Sequence, residues 1–227
     1  VLAADGLCVS AAMVKTLRGA FEEKGICLRD EDFLTPLWTE DRPPVPATPA
    51  WMLTKDQAGL SVREKLAAVR EKLAAQKAGA MLVTRLDSVA WLLNLRASDI
   101  AYNPFALAYC LVEENTARLF INAARVPEDV QAALKAQGVE LCGYEQARSA
   151  LAAMEGPATV LYEPAGTSWA MLRALEENPA VTLQEGEEPV QALKGVKNET
   201  EIARMKQAHR KDGAAMVRFE IELRRRL

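Results

Sequence analysis

The alternation between residues 80 and 183 restricts the fold more than any other feature. Short apolar runs at 80–84, 105–112, 117–121, 139–142, 159–162 and 181–183 are separated by stretches with helical spacing. Apolar runs this short suit strands better than helices. The runs at 105–112 and 117–121 are joined only by Glu113-Glu-Asn-Thr116, which predicts a β-hairpin with a four-residue loop. Helices predicted at 127–137, 145–154 and 169–175 supply crossovers between later strands. The expected class is therefore α/β, with a mixed β-sheet flanked by helices.

Signals on either side frame this region. Ser10 is a candidate cap for a helix over 10–24, followed by a strand at 26–28 and a second helix within 31–38. Pro43, Pro44, Pro46 and Pro49 then make an extended connector, since proline fixes φ and removes a backbone donor. Such a stretch is a candidate domain boundary. Ser61 and Glu64 form a capping box ahead of Val62, Leu66, Val69 and Leu73, which recur at helical spacing until near Gly79. Asp87 is placed to cap a short helix through Trp91 and Leu92, and 94–104 reads as an irregular polar loop.

Asn198 and Glu201 repeat the cap spacing, and a helical pattern then runs to Leu227. Ile202, Met205, Met216, Phe219 and Leu223 form one apolar stripe on it. No later segment is there to cover this stripe. The expectation is a fragment of a longer protein, or an interface; Val1 in place of an initiator Met agrees with the former.

Composition removes whole classes of function. Of 227 residues, 50% are hydrophobic and 26% charged, which excludes wholesale disorder. A net charge of −3 gives no bulk attraction for nucleic acid. No run approaches ~18 apolar residues, so no membrane span is expected, and residues 1–6 lack signal-peptide character. With His209 as the one histidine, neither a His-rich metal cage nor a Ser/His/Asp triad pattern is present. Cys8, Cys27, Cys110 and Cys142 lie far apart without a CxxC. They are expected to be reduced and structural, three of them as buried apolar groups, in a cytoplasmic protein.

Four polar clusters remain. Glu163-Pro-Ala-Gly-Thr167 follows a strand but lacks a phosphate-loop pattern, so it is read as a turn. Arg224, Arg225 and Arg226 complement the macrodipole at a helix C-terminus. His209 and Asp212, three residues apart on the stripe, are expected to be a structural hydrogen-bonded pair, because no nucleophile or second ligand accompanies them. The densest cluster is the loop with Arg96, Ser98, Asp99, Tyr102 and Asn103. Its residue types fit a ligand-binding loop and a self-satisfied turn equally well.

Trp91-Leu-Leu-Asn-Leu-Arg-Ala-Ser-Asp-Ile-Ala-Tyr-Asn-Pro104 closely resembles the signature of the middle domain of three-domain Xaa-Pro aminopeptidases in the creatinase/prolidase superfamily. The family usually has Gly where Ala97 stands. Leu37-Trp-Thr-Glu-Asp-Arg-Pro-Pro44 resembles the family's linker, and 61–65 the start of its middle domain. Residues 189–219, with Asn198-Glu199, Ala208-His209 and Asp212-Gly213, resemble the start of its catalytic domain.

The resemblance implies a creatinase N-terminal-like fold and the following organisation. Residues 1–42 would be the C-terminal remnant of a first creatinase-N-like domain and 43–55 a Pro-rich linker. Residues 56–192 would be the middle domain, and 193–227 the first helix of a pita-bread catalytic domain. The parent would be a hydrolase that removes an N-terminal residue preceding proline. It would use two divalent metals, usually manganese, held by two Asp, one His and two Glu of the catalytic domain.

No catalytic residue or metal ligand carries over to this chain. Its expected role is to shape the active-site entrance and the oligomer, with Arg96, Ser98, Asp99, Tyr102 and Asn103 as entrance candidates. The partners implied are its own catalytic domain, a peptide with proline at the second position and a second copy in a homodimer, with neither nucleic acid nor membrane. Two alternatives stand beside this: a peptide-binding module of a non-enzymatic pita-bread protein, and a prolidase or creatinase relative.

Overall fold

The structure, a computed structural model, describes residues 1–155 and 158–227. In chain order the first elements are β1 (Leu2–Ala4), α1 (Ala11–Glu22), β2 (Leu28–Asp30) and α2 (Leu34–Leu37). After the Pro-rich stretch come β3 (Trp51–Met52), α3 (Lys55–Ala58), α4 (Val62–Ala75), β4 (Ala80–Val83), α5 (Leu86–Leu92) and β5 (Leu95–Arg96). The hairpin β6 (Tyr109–Glu113) and β7 (Ala117–Phe120) follows, then α6 (Glu128–Ala136), β8 (Val139–Cys142), α7 (Ala147–Ala152) and β9 (Ala158–Tyr162). The chain ends with α8 (Trp169–Glu176), β10 (Val181–Glu185), α9 (Pro189–Gly195) and α10 (Glu199–Arg226).

Six strands form the main sheet, in the order β10-β9-β4-β6-β7-β8. The β6–β7 hairpin and the β4–β6 pair are antiparallel, whereas β10–β9, β9–β4 and β7–β8 are parallel. The mixed sheet follows from connection length: three residues turn β6 into β7, while α6 and α8 carry the chain across to parallel partners. β4 lies inside the sheet, buried along its whole length. Its side chains alternate between faces, as strand geometry requires. Met81 and Val83 join Leu66, Val69 and Leu73 of α4 and Leu92 of α5 in one core layer. Ala80 and Leu82 join Leu151 of α7 and Met171 and Leu175 of α8 in the other.

The N-terminal elements dock on α8. Backbone bonds run from Ala11 N–H to Thr167 O (2.8 Å), Trp169 N–H to Val9 O (2.9 Å) and Ala170 N–H to Gly6 O (2.8 Å). Arg18 stacks over the Trp169 ring at 5.3 Å. The 163–167 segment is a turn, as expected, and Thr84 Oγ1 donates to its Gly166 carbonyl at 2.8 Å.

Several expectations are corrected. The 94–104 stretch is not wholly irregular, because β5 pairs with β3 in a two-residue antiparallel ladder. Asp87 lies in the first turn of α5 rather than at its cap, which is Arg85, and it pairs with Lys194 of α9. The helix expected at 145–154 opens as a 3-10 turn at Tyr144–Gln146 before α7 begins. All four cysteines are free, but only Cys110 is fully buried; Cys142 is half-buried, and Cys8 and Cys27 are exposed. His209 and Asp212 are both exposed and no hydrogen bond joins them, so the structure does not make them a pair. The packing reason is that α10 leaves the body of the fold after its first turn and everything from Ile202 onward is exposed.

Candidate functional site

The polar centre of the molecule forms where α4, the end of α5, β5 and the first turn of α10 meet. Lys65 sits on the buried side of α4, three residues after Val62 and next to Leu66. Its ammonium is fully buried and donates to Trp91 O at 2.8 Å and Asn94 Oδ1 at 2.7 Å. It also lies 4.2 Å from the centre of the Trp91 ring, a cation–π distance. Asn94 accepts a left-handed backbone (φ 51°), which asparagine tolerates, and its amide donates to Leu60 O at 2.9 Å. Burial brings the Lys65 pKa down to about 8, with the charge of Glu201 opposing the fall.

Glu201 ties α10 to this centre. One carboxylate oxygen accepts from Trp91 Nε1 at 2.8 Å, and the other accepts from the Asn198 N–H at 3.0 Å. Asn198 closes the capping box from the opposite direction, taking the Glu201 N–H at 2.9 Å. Its side-chain amide donates to Ala58 O at 2.9 Å. Gly59 makes this approach possible: its φ is 79°, and a Cβ there would stand 2.3 Å from Asn198 Oδ1. These bonds tie the first turn of α10 to the Trp91 indole and to the Ala58 backbone.

Arg96, at the end of β5, and the loop that follows it do different work. Arg96 lines a groove beside α10; its Nη1 donates to Leu95 O at 2.9 Å and to Ala90 O. Burial lowers the Arg96 pKa and Glu201 counters it, and a guanidinium keeps its charge throughout.

Asp99 turns inward and pairs bidentately with Arg125; both side chains are shielded from solvent. Asp99 also accepts from Thr48 Oγ1 at 2.8 Å and the Leu107 N–H at 2.7 Å. Burial pushes its carboxyl up, but these donors, Arg125 first, outweigh that and leave the pKa lowered. Arg125 Nε donates to Thr48 O at 2.9 Å, so the clamp also pins the Pro-rich stretch.

The Ser98 side chain is exposed and its N–H donates to Thr48 Oγ1 at 2.9 Å. Asn103 folds back on the turn, its N–H donating to Ile100 O at 3.1 Å and its amide to Ala101 O at 3.2 Å. Tyr102 stands fully exposed at the tip with φ 64°.

Of the five sequence candidates, Arg96 therefore reaches the groove and Tyr102 protrudes. Asp99 belongs to a structural ion pair, while Ser98 and Asn103 satisfy loop backbone and turn. Asp99 does not hold Arg96; it holds Arg125. Sequence reasoning missed Lys65, Asn94, Glu201 as a carboxylate on Trp91, and the Thr48–Arg125 half of the clamp. Lys65 left a trace, as a cation on an otherwise apolar stripe. Arg125 left none.

Two adjoining cavities open here, of about 600 Å³ and 720 Å³, sharing Lys65, Trp91 and Glu201 in their walls. Among the described residues no group of three or more His, Cys, Asp or Glu side chains could hold a metal ion. Among the described residues no helix is long and apolar enough to cross a membrane.

Residues 41–201 match a family model described as the Creatinase/Prolidase N-terminal domain. A protein of Sordaria macrospora named "Probable Xaa-Pro aminopeptidase P" is 32% identical over 95% of this chain, and the match covers 37% of that protein. A Neurospora crassa protein of the same name is 31% identical over 95% of this chain and 33% of its own length. The chain thus spans roughly a third of these relatives. The crystal structure of an X-prolyl aminopeptidase from Caenorhabditis elegans, described as "a cytosolic enzyme with a di-nuclear active site", superposes with a TM-score of 0.89. That match is 28% identical and covers 99% of this chain and 37% of the nematode chain.

Proposed function

This chain belongs to the Creatinase/Prolidase N-terminal domain family, and from that premise we propose that it is the non-catalytic region of a metal-dependent Xaa-Pro aminopeptidase. The parent removes an N-terminal residue that precedes proline. The likeness to the nematode enzyme carries the reading, because it runs through 99% of this chain, α10 included, rather than stopping at the sheet. In this reading 1–42 is the end of a first domain, 43–55 the linker and 56–192 the middle domain. Residues 193–227 then lead into a catalytic domain that carries both divalent metals, manganese by expectation.

The residues of this chain bind and orient. The Glu201–Trp91–Asn198 contacts hold the root of α10, which fixes where the next domain starts. The exposed stripe of Met216, Phe219 and Leu223 is the surface that domain covers. The Asp99–Arg125 clamp presents the loop from beneath, with Arg96 and Tyr102 toward the substrate entrance. A cytosolic site and a homodimer agree with this reading.

The test is hydrolysis of a peptide with proline at its second position. The full-length protein with manganese should release the N-terminal residue, and the 227-residue chain with manganese should release none. A full-length protein that binds the peptide without cleaving it would favour a non-enzymatic peptide-binding role. Metal-dependent turnover by the 227-residue chain alone would overturn the non-catalytic assignment.

A further inference from the structure

We propose that the larger groove beside α10 is a subsite for the C-terminal carboxylate of a short peptide. The inference rests on the reading just given and adds a feature of the substrate to it. The groove measures about 720 Å³, within the range of small-ligand sites. Trp91, Pro104 and Met205 supply apolar wall.

The charges in that wall are unequal. Lys65, Arg96, Lys194, Lys197 and Arg204 line it against one carboxylate, Glu201. Lys194 is answered from outside the groove by Asp87. Glu201 is shared between Lys65 and Arg96 and is already bonded to the Trp91 indole and the Asn198 N–H. The Lys197 ammonium reaches only the carbonyls of Lys194 (2.8 Å) and Gly195 (3.4 Å). Among the described residues, no carboxylate lies within 4.0 Å of Arg96, Lys197 or Arg204.

Several cations around a partly apolar groove, with one preoccupied anion, leave a positive potential that low-dielectric walls strengthen. A free carboxylate is the complementary group: it is small, and a guanidinium grips it through two parallel bonds. The apolar wall suits the last side chains of the same peptide.

The experiment compares two peptides with proline at the second position, identical except for a free acid or an amide at the C-terminus. The full-length protein should show a KM about tenfold lower for the acid, with similar kcat. Tenfold corresponds to about 1.4 kcal/mol. The preference should fade in about 0.5 M salt, where the screening length is only a few ångström. It should also fade in a Lys197→Gln, Arg204→Gln double variant, both positions being exposed.

Equal KM values for acid and amide overturn the proposal, and so does a double variant that keeps the preference. An amidated peptide ending in Glu that matches the acid would overturn the choice of the terminus in favour of acidic side chains. If no peptide is cleaved, the parent activity is wrong, and calorimetric binding of the same peptides decides this proposal instead. Tighter binding of the acid, lost in the double variant, supports it; equal binding, or none, overturns it.

Discussion

α4 and α10 begin alike and end in opposite circumstances. Each opens on a capping box: Ser61 with Glu64, whose carboxylate takes the Ser61 N–H at 2.7 Å, and Asn198 with Glu201, where the same bond is 3.0 Å. Each carries an apolar stripe. On α4, Val62, Leu66 and Val69 are wholly buried against the sheet. On α10, Met216 is 59% exposed and Phe219 62%. Caps decide where a helix starts, because they satisfy local backbone donors. Burial depends on whether another surface arrives, and among the described residues α10 stays exposed from Ile202 onward.

The strongest test of this contrast truncates one leucine on each helix. Leu66→Ala should cost about 2–5 kcal/mol by urea denaturation of this chain, from lost transfer energy and the cavity left behind. Leu223→Ala should stay within about 0.5 kcal/mol. Repeating both in the full-length protein sharpens the point: a covered stripe would raise the Leu223→Ala cost toward that of Leu66→Ala. Equal costs in this chain would erase the comparison.

A second, smaller effect separates the buried root of α10 from its exposed shaft. The folded state holds Lys65 with a pKa of about 8, and the unfolded chain keeps that proton to about 10.5. Between those values the unfolded state binds more protons, so stability should rise with pH across that window, by on the order of 1–3 kcal/mol. Lys65→Met should flatten the rise, and an unchanged pH profile in that variant would show that other groups cause it.

The smallest effect concerns the caps themselves. Ser61→Ala should lower global stability by about 1 kcal/mol, because α4 unfolds only with the core. Asn198→Ala should instead speed amide exchange in the first turn of α10 and leave the global unfolding midpoint nearly unchanged. A large global loss from Asn198→Ala would mean that its bond to Ala58 O, rather than the cap, does the holding.

Much of the fold was legible because its signals are local. The hairpin could be read from two apolar runs and a short loop, and α4 from a box and a stripe. The β3–β5 ladder was not legible, since two residues at each end carry no periodicity. Within the site, Arg96 and Trp91 stood out in one polar motif. The clamp did not, because Arg125 meets partners 26 and 77 residues earlier in the chain, Asp99 and Thr48. Asp99 looked like a candidate ligand for substrate and proved to be the anion of a buried pair. A carboxylate's residue type is the same in both roles, and only its surroundings differ.

The sequence by itself determined the class of fold, the starts of α1, α4 and α10, the turn at 163–167 and the family resemblance. Each depends on residues close along the chain: side-chain period, cap geometry, loop length and an ordered motif. Only the tertiary structure decided that Lys65 is buried against Trp91, that Glu201 ties α10 to the domain, that Asp99 faces Arg125, and that His209 and Asp212 stay apart in solvent. Those outcomes depend on which distant surfaces meet. Desolvation and ion pairing act through space, so their strength depends on packing that no local stretch of sequence encodes.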